Sequence, residues 1–347
     1  MTDKIRIGVV GAGSFTRSRT LPNFRKLPED VEIVAVANRS LTSAEAVAKD
    51  FEIPEALDDW RPIVERKDID AVFIGAPPYI HAEVAIAALE NGKDVLSQTR
   101  MCRTLEEARQ MQAKAESTGR KGGLVRPSRF VTGGRYVKHL IETGYIGNVR
   151  QAWYFRLIPD YTDSTLPMGR RQDPELYGVL NCLYLGYGWD VLQNWFGDAK
   201  RVFAQSLNFT PQRQAGPGGP MITVLTPEAI TAISEMENGA SVTSVQSGVS
   251  FFGEDRVEIY GDGGTIVYKA NGDQILSGRK GDKELQPLAV PDEWRDSWTV
   301  ERDFIRWVRG EIAEFHPDFA DGVKNIEYME ACYRSAKQGC WVDMPLP

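Results

Sequence analysis

Short β-branched runs alternate with helical stretches through the first third of the chain. Ile5-Arg6-Ile7-Gly8-Val9-Val10 and Val31-Glu32-Ile33-Val34-Ala35-Val36-Ala37 read as buried strands, with Ala71-Val72-Phe73-Ile74 and Asp94-Val95-Leu96 as two more. Between them, Ser43 to Phe51 and His81 to Asn91 carry Ala, Glu and Val at helical spacing, and Gly92 offers a left-handed stop for the second helix. Strand and helix in turn predict a parallel sheet covered on both faces, since parallel neighbours need a crossover long enough to hold a helix. The pattern changes near Gly122-Gly123. A helix from about Gly134 to Thr143 stops at Gly144, and Val149 to Leu157 is a strand with alternating aromatics. A loop with Pro159, Pro167 and Pro174 leads to an aromatic-rich helix, about Tyr177 to Phe196, ending at Gly197. From Val202 to Tyr268 the chain is mostly strands, Ala240 to Val245 and Val257 to Tyr260 among them, with turns at Glu237-Asn238-Gly239 and Gly261-Asp262-Gly263-Gly264. Strands in succession predict an antiparallel sheet. Helices at about Trp298 to Gly310 and Gly322 to Gln338 follow. The expected organisation is an α/β domain over residues 1–122 and an α+β domain over 123–347.

Composition narrows the partners. A length of 347 residues suits two domains. The net charge of −7 argues against nucleic acid or an anionic membrane as the main partner. No apolar run approaches the roughly 20 residues of a membrane span. The opening Met1 to Val10 enters a strand with no small-residue cleavage site, so no ordinary signal peptide is expected. Cys102, Cys182, Cys332 and Cys340 are scattered, which suits reduced thiols in a cytoplasmic protein. The three histidines form no ligand pattern, so no metal is expected, and His139 and His316 read as structural or solvent-facing.

Gly11-Ala12-Gly13-Ser14-Phe15-Thr16 follows the first strand and opens a helix. The first glycine permits the tight turn, the second lets a pyrophosphate approach the backbone, and the helix N-terminus offers amides and a positive dipole end. Thr16 takes the third glycine's place. The second strand ends in Asn38-Arg39-Ser40, where an NAD site usually carries a carboxylate for the ribose 2′-hydroxyl. A guanidinium and two small polar groups suit a 2′-phosphate, so NADP(H) is the expected cofactor; NAD stays possible if Arg39 only stacks on adenine.

The chain resembles the glucose-fructose oxidoreductase/inositol dehydrogenase (Gfo/Idh/MocA) family over essentially its whole length. The resemblance rests on Arg6 to Gly13, Gly75-Ala76-Pro77-Pro78-Tyr79-Ile80-His81, Asn91 to Leu96, Ile141 to Val149, Phe319-Ala320-Asp321-Gly322, and Glu330 to Ala336. It implies an N-terminal Rossmann domain, a C-terminal α+β domain with a mostly antiparallel open sheet that forms homo-oligomers, and a sugar or polyol substrate. By the same resemblance Ala76, Pro77, Pro78 and His81 lie beneath the nicotinamide ribose, with His81 as a mere helix-cap residue the alternative. The family's Glu-Lys-Pro triplet is Gln98-Thr99-Arg100 here, so this is a divergent member. Thr99 replaces the lysine, and Arg100 supplies a cation that does not readily release a proton. Gln98 stays with the cofactor. On the first helix of the second domain Tyr187 falls on the family's histidine and Asp190 on its aspartate. A phenol near a cation can act as general acid, or Tyr187, like Tyr184 and Trp189, can simply pack. The preceding loop carries Asp160, Tyr161, Asp163, Arg170 and Arg171, which suit substrate hydroxyls or a carboxylate, or are a solvated surface.

The expected function is hydride transfer between NADP(H) and a sugar, polyol or related carbonyl compound, with Tyr187 as proton donor helped by Asp190 and Arg100. Two alternatives stand beside it. One is a redox-neutral sugar-modifying enzyme that retains its nicotinamide; the other is a non-catalytic dinucleotide-binding regulatory protein.

Overall fold

The computed structural model describes residues 4–126, 132–294 and 298–347, apart from the side chains of residues 132 and 181–183. Cys182 thus lies outside the described side chains. The chain forms two compact units. The first contains Met1–Arg126, Glu175–Gly178 and Thr299–Lys324; the second contains Pro127–Pro174, Val179–Trp298 and Asn325–Pro347.

The first unit is built on six strands: β1 (Ile5–Val10), β2 (Val31–Ala37), β3 (Glu55–Leu57), β4 (Ala71–Ile74), β5 (Asp94–Gln98) and β6 (Gly122–Val125). All pair in parallel, in the order β3-β2-β1-β4-β5-β6. Residues Ala71 to Ile74 are fully buried, as expected of a central strand with both faces covered. The crossovers carry α1 (Leu21–Arg25), α2 (Leu41–Phe51), α3 (Arg61–Glu65), α4 (His81–Glu90) and α5 (Leu105–Thr118). The segment Thr299–Lys324 adds to this unit through the β6 edge. The Leu124 amide donates to the Pro317 carbonyl at 2.8 Å, the Lys121 ammonium to the Trp307 carbonyl, and the Arg309 guanidinium pairs with Asp30. Gly122 is flat against Phe319, whose ring a β-carbon there would strike at 2.3 Å.

The second unit has one nine-stranded sheet. Its strands are β7 (Val149–Leu157), β8 (Ala199–Leu207), β11 (Ala229–Met236), β12 (Ser241–Ser247), β13 (Asp255–Gly261), β14 (Gly264–Lys269), β15 (Gln274–Arg279), β16 (Gln286–Leu288) and β17 (Val342–Asp343). The order is β16-β15-β14-β13-β7-β12-β11-β8-β17, antiparallel except for the pair β7–β12; β9 (Gln212–Gln214) and β10 (Met221–Thr223) form a separate hairpin. The one parallel pair was not legible in the alternation. It arises because β7 leads into a long crossover and its partner comes several strands later. One face of the sheet is buried and the other open. Val242, Ser244 and Gln246 point inward on β12, while Trp153, Thr243, Ile233 and Phe203 stand opposite one another across four strands on the outer face. Trp153 and Ile233 remain 39% and 37% exposed.

Among the helices of this chain are α6 (Thr132–Glu142), α7 (Pro174–Tyr177), α8 (Leu185–Phe196), α9 (Val300–Val308) and α10 (Phe319–Gln338). The expected continuous helix from Tyr177 to Phe196 is broken. A 3-10 turn, Val179–Tyr184, separates α7 from α8, with Gly178 at φ +75° and Tyr184 at φ +68°. Gly178 abuts the Arg103 carbonyl, where a β-carbon would sit at 2.7 Å, so the backbone bends where only glycine fits. On α8, Gly188 lies against Tyr154 of β7, 2.3 Å from the nearest ring carbon if it had a β-carbon. Trp189 stacks on Tyr328 of α10 with centroids 3.6 Å apart, and the Tyr328 hydroxyl meets Ser234 at 3.0 Å. Trp189 is therefore a packing residue, at 1% exposure.

Truncation of that stack should be costly. Trp189→Ala is expected to lower the unfolding free energy by about 3–5 kcal/mol, the range for a large buried ring. Tyr328→Phe keeps the stack, loses the hydroxyl's contacts with Ser234 and the Cys332 thiol, and should cost about 1 kcal/mol. Equilibrium urea unfolding of both variants checks this, and equal losses would contradict it.

Candidate functional site

Strand order in the first sheet reverses between β1 and β4, which splits the loops at their carboxyl ends and leaves a crevice there. Gly11 ends β1 at φ +85°, and a β-carbon on it would lie 2.4 Å from the Ala76 amide nitrogen after β4. Gly75 is equally confined: a β-carbon would lie 2.2 Å from the Thr16 hydroxyl. Thr16 is fully buried and points its hydroxyl at the Gly11 carbonyl, 3.4 Å away. The room that a third loop glycine would provide therefore comes from Gly75, just past the end of β4.

Gly13 is exposed, with nothing within 4 Å of where its β-carbon would be. Its carbonyl accepts from the Arg17 amide at 3.0 Å, which opens a helical turn that continues as the π-helical segment Thr16–Thr20 into α1. The first turn, Ser14 to Thr16, presents the positive end of the helix dipole. Ala12, Gly13 and Ser14 border an open cleft of about 660 Å³ together with Arg17, Ser18, Asp50 and Phe51. Open space over Gly13 and confinement at Gly11 fit a diphosphate laid on the loop.

The three residues after β2 divide their labour. Asn38 accepts the Ala12 amide on Oδ1 at 2.8 Å and donates Nδ2 to the Ser43 carbonyl at 3.1 Å, so it braces the glycine loop. Ser40 caps α2, accepting the Ser43 amide at 3.4 Å. Arg39 is exposed and makes no ion pair among the described residues. Of the three expected 2′-phosphate ligands, only Arg39 has an uncommitted side chain.

His81 sits at the start of α4, 1% exposed. Nε2 is 2.6 Å from the Ala76 carbonyl, and Nδ1 is 3.2 Å from both the Ser97 hydroxyl and the Met101 carbonyl. Burial holds its pKa below the ordinary histidine value, although the surrounding carbonyls oppose this. In a neutral ring Nε2–H donates to Ala76 and Nδ1 accepts from Ser97, and the Met101 carbonyl receives no proton from it. His81 thereby ties the loop after β4 to β5, alongside Ala76, Pro77 and the buried Pro78. At the end of β5, Gln98 is half-buried, and Thr99 gives its hydroxyl proton to the Val125 carbonyl. Arg100 is buried, its guanidinium 5.6 Å above the Tyr177 ring.

In the second unit, α8 carries Tyr187 half-buried and Asp190 fully buried, three residues apart on one side of the helix. Tyr187 lies 5.9 Å from Tyr184, ring to ring. Two guanidiniums, Arg156 and Arg171, each stand 4.4 Å from the Tyr184 ring centroid. Arg156 is paired with Asp255. Burial raises the pKa of the adjacent Tyr154 phenol far above the usual tyrosine range, and the Asp255 carboxylate adds to this. Tyr161 is held by its backbone, its amide on the Gly248 carbonyl at 2.7 Å, and Arg170 is exposed on the 3-10 turn Arg170–Gln172. Sequence reasoning missed Arg156, although a signal was there: it shares parity with Ala152 and Tyr154, the buried positions of β7.

His316 contacts Asp321 at 2.8 Å, and with Asp318 the three place ligand atoms within 4.8 Å of one another. Asp318 and Asp321 each accept the other's amide, at 2.9 and 3.1 Å, which is the geometry of a helix cap. No helix among the described residues is long and apolar enough to cross a membrane.

The neutral, buried His81 makes stability depend on pH. An unfolded histidine titrates near its ordinary value of about 6.5, while the folded ring resists protonation. Its stabilisation is thus present above about pH 6.5 and lost as pH falls below it, because the unfolded chain then binds the extra proton. Urea midpoints from pH 7 to pH 5 should fall less steeply in His81→Gln than in the parent chain, and identical slopes would refute this.

Comparison with known proteins agrees with this fold. Residues 5–124 match the model of an oxidoreductase family with an NAD-binding Rossmann fold, and residues 135–267 match the Gfo/Idh/MocA C-terminal domain. A dTDP-3,4-didehydro-2,6-dideoxy-α-D-glucose 3-reductase from Saccharopolyspora spinosa is 36% identical over 169 residues, 48% of this chain and 49% of that protein. The chain thus spans about half the length of that relative. Levoglucosan dehydrogenase from Pseudarthrobacter phenanthrenivorans is 25% identical over 98% of both chains. A solved levoglucosan dehydrogenase, in complex with NADH and L-sorbose, has the same fold with a TM-score of 0.88 over 100% of each chain at 22% identity. Matched in both units, this chain belongs to the Gfo/Idh/MocA family of NAD-binding oxidoreductases, and its relatives include sugar dehydrogenases and reductases.

Proposed function

We propose that this chain is an NADP(H)-preferring oxidoreductase that transfers a hydride to or from a sugar, polyol or related carbonyl compound. The observation that carries the cofactor preference is the division of labour after β2. With Asn38 bracing the loop and Ser40 capping α2, Arg39 is left as a cation with no ion pair among the described residues, where an NAD site would place a carboxylate. NADH in the complex of the levoglucosan dehydrogenase supports NAD as a second cofactor.

When bound, the nicotinamide supplies or accepts the hydride. The protein's part is to bind, orient and move a proton. Amides of Gly13 to Thr16 hold the diphosphate, Arg39 the 2′-phosphate, and Ala76, Pro77, Pro78, His81 and Gln98 form the floor for the nicotinamide half. Tyr187 is the proton donor to the carbonyl oxygen in reduction, and the acceptor in oxidation. Asp190, one helical turn along, positions it. Thr99, having given its proton to Val125, can act towards a substrate hydroxyl only as an acceptor. Arg100 adds a fixed positive charge. Tyr161, Arg170 and Arg171 hold the substrate. The relatives' names, a deoxysugar reductase and levoglucosan dehydrogenase, support a sugar substrate. The row Trp153, Thr243, Ile233 and Phe203 on the open face of the second sheet supports a homo-oligomer formed through that face.

Cofactor calorimetry separates the roles of the β2 residues. Arg39→Ala should weaken NADPH binding about 10–100-fold, the worth of a charge-assisted hydrogen bond, and leave NADH unchanged. Asn38→Ala should weaken both alike, by up to about tenfold. Equal losses of NADPH and NADH in Arg39→Ala would overturn the preference. The chemistry is tested by absorbance of reduced nicotinamide over a panel of sugars and keto-sugars. Tyr187→Phe should lower kcat by about 10²–10⁴ with cofactor affinity retained, and full activity in that variant would remove tyrosine from the mechanism.

A further inference from the structure

We infer that the second unit contains an anion subsite centred on Arg171, and that the substrate is therefore a sugar or polyol bearing a carboxylate or phosphate group. The inference rests on the oxidoreductase reading above and specifies its substrate class.

Two guanidiniums over one ring are an accumulation of positive charge, and only one of them is neutralised. Arg156 has Asp255 as its partner, and both side chains are largely buried, at 26% and 16% exposure. Arg171, over the same Tyr184 ring, is exposed and makes no ion pair among the described residues; Arg170 beside it is likewise exposed without one. A ring quadrupole attracts a guanidinium without cancelling its charge. Stacking instead fixes the plane of the fork and leaves its N–H edge for an oxyanion, in the bidentate geometry that carboxylate and phosphate share. In the same loop Asp163 is committed locally, accepting from the Thr165 amide at 2.8 Å and its hydroxyl at 2.6 Å.

The loop that presents Arg171 is anchored from below. Arg213, 2% exposed, donates to the carbonyls of Tyr161, Asp163 and Leu166 at 2.9, 2.7 and 3.2 Å. It also pairs with the fully buried Glu228 at 2.9 Å, whose other oxygen accepts the amides of Phe209 and Thr210. Next to Arg171, Gln172 is 1% exposed, accepts the Gly169 amide on its side chain and takes the Thr226 hydroxyl on its carbonyl. A loop with a buried ion pair beneath it holds its side chains in place, which an adaptable solvent-facing loop does not need. Tyr184 itself is held in the left-handed region at φ +68°, a conformation a bulky residue keeps only when its surroundings impose it. Tyr187, the proposed proton donor, lies one ring away at 5.9 Å.

The test uses the whole chain saturated with NADP⁺. Calorimetry with D-glucuronate, D-glucose 6-phosphate and D-glucose compares a carboxylate, a phosphate and a neutral sugar of similar size. One of the two anions is expected to bind at least about tenfold more tightly than glucose, the scale of a hydrogen bond between charged groups. That advantage should shrink as salt rises and vanish in Arg171→Gln, whose melting temperature should match the parent's because the side chain is exposed. Which anion wins identifies the group. Glucose binding as tightly as both anions, an undiminished advantage in Arg171→Gln, or no binding of either anion would each overturn the subsite. Turnover is measured separately: an anion that binds through Arg171 but is never oxidised or reduced leaves the subsite standing and counts against the oxidoreductase reading.

Discussion

The absence of two side chains, at Gly11 and Gly75, is the constraint on which the first unit's chemistry depends. Where the β1 and β4 loops part, the Gly11 backbone must pass the Ala76 amide at a distance that admits no β-carbon, and Gly75 must leave space for the buried Thr16 hydroxyl. That contact fixes where the following helix begins, and with it the direction in which its first amides point. Asn38 secures the same loop from the β2 side, and His81 ties the β4 loop to β5. Three adjacent strand ends thus hold one surface, and the residues that do so have little polarity left for anything else.

The second unit solves a different problem. Its sheet is covered on one face only, and the covered face carries polar groups where an ordinary core would be apolar: Ser234, Ser244, Gln246, Tyr154 and, at the end of the same strand, Arg156. α8 can approach these groups closely because Gly188 faces Tyr154. The helix therefore contributes both the stacked Trp189 that holds the unit together and, two residues earlier, a phenol that remains half-exposed.

Much of the fold was legible in the chain because period and punctuation agreed. β1, β2 and β4 lie where the β-branched runs placed them and β7 where the alternating aromatics did, and the glycine loop lies between strand and helix as its spacing implied. The break at Gly178 and Tyr184 was not legible, since the aromatic spacing of α8 continues smoothly backward through the 3-10 turn. Nor did local pattern reveal that Thr299–Lys324 joins the first unit, because that depends on a Phe319 ring meeting Gly122 nearly two hundred residues away. At the candidate site, residue types were readable and their commitments were not. Asn38 read as a cofactor ligand and Thr99 as the occupant of the lysine position, and only the fold shows their polar atoms engaged by backbone. Arg213 and Glu228 carry no sequence signal at all, being two ordinary charges that meet in the interior.

The discontinuity of the first unit also bears on how the protein is made. Its β6 edge carries Gly122, Lys121 and Leu124, whose partners lie at Phe319, Trp307 and Pro317. A ribosome must therefore synthesise residues 127–298, the larger part of the second unit, before that edge meets its cover, so the nucleotide-binding half, although first in the chain, is completed late. Until then the nascent chain displays an uncapped strand, the kind of surface that chaperones cover.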